Sequence, residues 1–143
     1  MIHSILHDFQ INVSKEKVFE AVSLPNKLNN WWTLRCSGTP ELGSVYNLYF
    51  AEEYNWYAEI SLLKHNSQIE FSMTKAMKDW LPTYFGFILT EEKPNQTYVQ
   101  FYHSNWQNTE KEYRITSYCW ANLLRQLKQY LEKGIITPFE ERN

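Results

Sequence analysis

The chain has 143 residues, of which 43% are hydrophobic and 21% charged, and a formal net charge of -2. That length supports one folding unit over residues 1–143 and is too short for two domains of ordinary size. The near-neutral charge and the lack of any Lys/Arg cluster exclude an electrostatic footprint for nucleic acid or an anionic membrane surface. No apolar run is long enough to span a bilayer or to read as a secretion signal, so the expected location is cytoplasmic.

Aromatic residues are abundant, with 8 Phe, 6 Trp and 10 Tyr. Such rings bury much surface, and Tyr and Trp add a polar atom that needs a partner, so they suit cores and amphipathic binding walls alike. Cys36 and Cys119 lie far apart and outside any C-x-x-C pattern. Neither a disulfide framework nor a metal site is expected from them, and Cys119 is expected to be buried on a helix.

Residues 2–13 alternate, with Ile5, His7, Phe9, Ile11 and Val13 on one face, and read as a strand. Ser14 is a helix cap for Lys15 to Ser23, which places Val18, Ala21 and Val22 on one side. Pro25 opens a second short helix, followed by Leu28, Trp31 and Trp32 at helical spacing. From Thr33 to Glu92 the period becomes two, punctuated at Gly38 to Gly43, Lys64 to Ser67 and Asp79 to Pro82. Trp56, Ala58, Ile60 and Leu62 share a face, as do Ile69, Phe71 and Met73, and then Phe85, Phe87 and Leu89. Glu91 to Thr97 reads as a hairpin loop leading to Val99, Phe101 and His103 on the apolar side of a further strand. Short connections of this kind favour an antiparallel meander.

Trp120, Leu123, Leu124, Leu127, Tyr130 and Leu131 recur at spacings of three and four, predicting a helix that ends at Gly134. Its start is expected near Ser117, although Thr109 with Glu112 also matches a capping box. Ile135 to Asn143, with Pro138 and Phe139, cannot continue the helix and either packs on the domain or meets a partner. No internal repeat, low-complexity tract or linker interrupts the chain.

Val18-Phe19-Glu20-Ala21-Val22 with Leu24-Pro25 and Trp31-Trp32 is similar to the start of heat-shock protein 90 ATPase activator-like domains. His103-Ser104-Asn105-Trp106, Trp120-Ala121 and Leu127 to Gly134 resemble that family's last strand and closing helix, and Tyr84-Phe85-Gly86-Phe87 resembles a middle strand. The element order also resembles the helix-grip fold of the START-related SRPBCC superfamily. This resemblance implies an α+β fold in which a curved antiparallel sheet of about six strands wraps around a long C-terminal helix, with two short helices after strand 1. It further implies a cavity that holds lipids, hormones or polyketides in different members, some of them cyclases or hydrolases.

With the apolar strand faces turned toward the helix, Trp56, Phe71, Met73, Phe85, Phe87 and Phe101 form one wall. Trp120, Leu124 and Leu127 form the other; of Trp31 and Trp32, adjacent helical positions that face different ways, one anchors the short helix and the other lies near the mouth, and Trp32 is the candidate ligand contact. These side chains either line a pocket or meet and fill it, since large apolar residues are normally buried. His7 and His103 fall on the apolar parity of strands that the resemblance makes neighbours, so they either orient a polar ligand group and exchange a proton or serve as internal hydrogen bonders. Two histidines without an acidic or thiolate companion make an incomplete metal set. Arg35 is a candidate for a ligand carboxylate or an ordinary surface ion pair, and Tyr84 and Trp106 are candidates for polar atoms at the rim.

Motifs for a nucleophile elbow, phosphate loop, dinucleotide fingerprint or zinc protease are missing, and no cofactor is expected. The leading expectation is a binder of a hydrophobic or amphipathic small molecule. The alternatives are a cyclase- or hydrolase-type enzyme using a histidine or tyrosine, and a chaperone-associated interaction module or homodimer.

Overall fold

The structure, a computed structural model, describes residues 2–142; Met1 and Asn143, the ends of the expected 1–143 unit, lie outside them. Alternating residues build strand β1, His3–Ile11, which puts Ile5 and Ile11 into the core and leaves Leu6 exposed. Ser14 accepts a hydrogen bond from the Lys17 N–H and caps α1, Lys15–Ser23, which buries Val18, Phe19, Ala21 and Val22. The side-chain acceptor satisfies one of the amides that a helix start leaves without an internal partner. Pro25 sits in the first turn of α2, Pro25–Leu28. This helix is shorter than the spacing predicts, and Trp31 and Trp32 follow in turns.

Six strands then run in chain order: β2, Arg35–Ser37; β3, Val45–Ala51; β4, Tyr54–Lys64; β5, Gln68–Lys75; β6, Tyr84–Lys93; and β7, Gln96–Trp106. They join β1 in one antiparallel seven-stranded sheet ordered β1-β7-β6-β5-β4-β3-β2. The extra strand relative to the expected six is β2, whose three residues are too short to show a period. Helix α3, Lys111–Lys133, packs over the concave face, and Trp120, Leu124 and Leu127 are buried along it. The α+β helix-grip architecture is thus present.

Three further local readings need correction. Helix α3 begins at Lys111, six residues before the expected Ser117, with Glu110 at its cap position. Leu62 does not continue the core face of β4: a register shift between Ile60 and Leu62 turns Leu63 toward the core, opposite Ile69. Such a bulge inserts one residue, and with a side-chain period of two that reverses which parity faces inward. The loop expected over Glu91 to Thr97 is mostly strand, because Lys93 pairs with Gln96 across a turn in which Asn95 has φ 60°. Asparagine tolerates that left-handed conformation better than most residues.

The helix terminates as expected. Gly134 adopts φ 69°, and its N–H bonds the Tyr130 carbonyl. The chain then folds back along α3 through a 3₁₀ turn at Phe139–Glu141. Asn122 and Gln126 side-chain amides donate to the Arg142 carbonyl at 2.8 and 3.2 Å and fasten the returning segment.

Candidate functional site

Six residues of α3, namely Glu112, Ile115, Thr116, Cys119, Trp120 and Leu123, share one face by their spacing of three and four and form one side of a groove. The β3–β4 hairpin supplies Phe50, Ala51, Glu53, Tyr54 and Trp56; the turn before β6 supplies Met77 and Trp80. Trp32 contributes from the segment after α2, and Phe139 and Arg142 from the returning tail. The cavity measures about 520 Å³, within the range of roughly 300–1,000 Å³ usual for small-molecule sites. Its walls are mainly aromatic: the Trp56 and Trp80 ring centres are 4.8 Å apart, Phe50 and Trp32 5.4 Å, and Trp32 and Trp120 5.0 Å.

Of the residues expected at a ligand, Trp32, Trp56 and Trp120 reach this groove. Phe71, Met73, Phe85, Phe87 and Phe101 lie beneath it, buried and mutually packed, with Phe71 stacked on Phe85 at 5.1 Å and Phe87 against Phe101 at 5.2 Å. Leu124 and His7 line a smaller surface cleft of about 270 Å³ beside Asp8, Phe9 and Lys128. Trp31 is buried and donates from its indole to the Ala21 carbonyl at 2.9 Å. Trp106 is buried and does not reach a rim, and its indole nitrogen has no protein partner among the described residues. Arg35 lies over the Tyr49 ring at 4.1 Å, and Tyr84 packs on Tyr102 on the outer face of the sheet.

β1 and β7 are neighbours, yet the register pairs His7 with Phe101 and Ile5 with His103, so the imidazoles are offset along the sheet. His7 is half-buried and stacks on Phe101. His103 is fully buried: the Trp120 indole donates to Nδ1 at 3.0 Å, and Nε2 meets Thr83 Oγ1 at 2.8 Å. Because Nδ1 accepts, the neutral ring carries its proton on Nε2 and donates to Thr83, whose hydroxyl donates in turn to the Trp80 carbonyl at 2.6 Å. Burial pulls the His103 pKa down to about 3. Charging the ring would sacrifice solvation and the bond from Trp120.

Phe50, Met77, Trp80, Cys119, Leu123 and Arg142 are groove residues that the sequence reading did not select as ligand contacts. For Phe50 a usable signal existed, since Tyr46, Leu48 and Phe50 alternate along β3. Trp80 and Arg142 belong to a turn and a terminal segment, where no period reports which way a side chain points. Cys119 is partly rather than fully buried, and burial with the nearby Glu112 charge raises its thiol pKa. Among the described residues no group of three His, Cys, Asp or Glu side chains is arranged to hold a metal, and no helix is long and apolar enough to cross a membrane.

Residues 12–132 match the model of the family described as activator of Hsp90 ATPase homolog 1-like protein. The chain belongs to this activator-homologue family. It is similar to the Aha1 dimer of Colwellia psychrerythraea, at 31% identity and TM-score 0.83 over 92% of this chain and 98% of that one. Lower identity accompanies the same fold in protein SSP2350 of Staphylococcus saprophyticus, with 23% identity and TM-score 0.78 over 94% and 96% of the two chains. CalU16 of Micromonospora echinospora gives 18% and 0.75 over 99% and 84%. No curated protein matches the sequence.

Proposed function

We propose that this activator-homologue domain binds a hydrophobic or amphipathic small molecule in the groove between α3, the β3–β4 hairpin and the Met77–Trp80 turn. The carrying observation is a cavity of about 520 Å³ walled by Trp32, Phe50, Trp56, Trp80 and Trp120. Trp32, Trp80 and Trp120 are already nearly buried, so the gain comes mainly from covering the half-buried Phe50 and Trp56, which removes apolar surface from water at about 25 cal/mol per Å² before ordering costs.

The enzyme alternative loses its best proton carrier, because both nitrogens of His103 are engaged below the groove. A homodimer is a second reading, supported by the 31% identical relative described as a dimer and by β1, a nine-residue edge strand paired on one side only among the described residues.

Thermal-shift screening of fatty acids, sterols and aromatic polyketides checks the binding reading. At least one class should raise the melting temperature, and Cys119→Trp, which places a large ring in the groove, should weaken that ligand at least tenfold. A panel without any stabilising compound, or a hit indifferent to Cys119→Trp, would reject the site.

A further inference from the structure

The groove is not chemically uniform along its length. Glu53 and Glu112 are at its rim, whereas Arg142 comes from the tail that Asn122 and Gln126 hold against α3. Glu112 precedes Asn122 by ten helical residues, roughly 15 Å along the axis at 1.5 Å per residue. Glu112 and the tail's anchor therefore lie toward opposite ends of the helical wall of the groove.

Arg142 is 5% exposed, and no carboxylate among the described residues lies within ion-pair distance of it. Its Nε donates to the Thr137 carbonyl at 2.9 Å and its Nη1 to the Thr33 carbonyl at 3.2 Å. Nη2 has no protein partner among the described residues, yet it is not fully enclosed. Two backbone carbonyls thus fix the plane of the guanidinium and leave donors over. A buried cation with unused donors is costly unless an anion completes it, and burial pulls this guanidinium below its ordinary pKa even though the charge of Glu140, beyond ion-pair distance, favours the cation. A planar carboxylate suits the remaining donors, because Arg pairs with carboxylates through parallel N–H···O bonds.

Resting on the small-molecule reading above, we propose that the groove selects amphipaths with a carboxylate head, which pairs with Arg142 while the apolar body lies against Phe50, Trp56, Trp80 and Trp120. The head group, not the tail, sets the preference, since an alcohol of equal length offers the same apolar surface without the charge.

Isothermal titration of the full chain with decanoate and with decan-1-ol at pH 7.5 reads this out. Decanoate should bind at least tenfold more tightly, and Arg142→Gln should bring the two within twofold of each other by weakening decanoate. Arg142→Lys, which keeps the charge without the fork, should retain an intermediate preference, and circular dichroism of both variants reports whether the tail's anchor survives. Equal affinity of the wild-type chain for acid and alcohol overturns the carboxylate assignment on its own, without recourse to a variant, and leaves the groove standing. Binding of both compounds that ignores Cys119→Trp, or no binding of either, overturns the groove reading itself.

Discussion

At the residue scale, His103 concentrates the chemistry that parity alone leaves open. Alternation along β7 is enough to turn it inward. Its role is set by Thr83 and Trp120, partners 20 and 17 residues away that only the folded chain assembles. The pH consequence follows from the depressed pKa of about 3, against an ordinary value of 6.5. Below 6.5 the unfolded chain takes up a proton that the folded chain refuses, so stability is full above that pH and drains away as pH falls toward 3. Between pH 6.5 and pH 5 the wild type should lose about 1.5 kcal/mol more than His103→Gln, whose side chain does not titrate. Urea unfolding midpoints at the two pH values check this; parallel losses in both proteins would mean that His103 is solvated.

Elements show why some boundaries were legible and others were not. The end of α3 is written in Gly134, but its first two turns place Tyr113 and Thr116 at core-facing spacing, and Thr116 is buried to receive the Trp80 indole N–H at 3.2 Å. A polar residue at an inward position hides the helical period, so the start is legible only once Trp80 is in place. The bulge in β4 has the same character, since the exchange of Leu62 for Leu63 depends on pairing with β5 rather than on composition. Gly86 in β6 is explained by its neighbour: a Cβ there would lie 2.5 Å from the Tyr102 hydroxyl and 2.6 Å from the Ile69 carbonyl. Tyr102 crosses this bare backbone to donate to Glu70 at 2.8 Å and to accept from Gln68 at 3.2 Å. Gly86→Ala should therefore displace the ring and destabilise the sheet by about 1–3 kcal/mol, measured by thermal or urea unfolding. A neutral result would show that both the Tyr102 ring and the β5 backbone at Ile69 give way freely.

For the whole molecule, the sheet runs from the long edge strand β1 to the three-residue edge β2, and those two ends differ in what they offer a partner. The homodimer reading predicts, by light scattering on the eluting peak, a mass twice that of one chain that falls toward the single-chain value on dilution. A single-chain mass at every concentration rejects it. The capped first helix, the Gly134 stop and the inward faces of β5, β6 and β7 were determined by the sequence itself, because each follows from a local period or a local backbone preference, whereas the helix-grip fold class and the pairing of β1 with β7 followed from the family resemblance. The site was decided by tertiary structure alone. Phe71, Phe85, Phe87 and Phe101 share the parity of a pocket wall yet fill the core, since whether facing rings touch depends on the distance between layers. The open space lies instead where a hairpin, a turn and the returning tail meet α3, and Trp80 and Arg142 reach it from segments without any period.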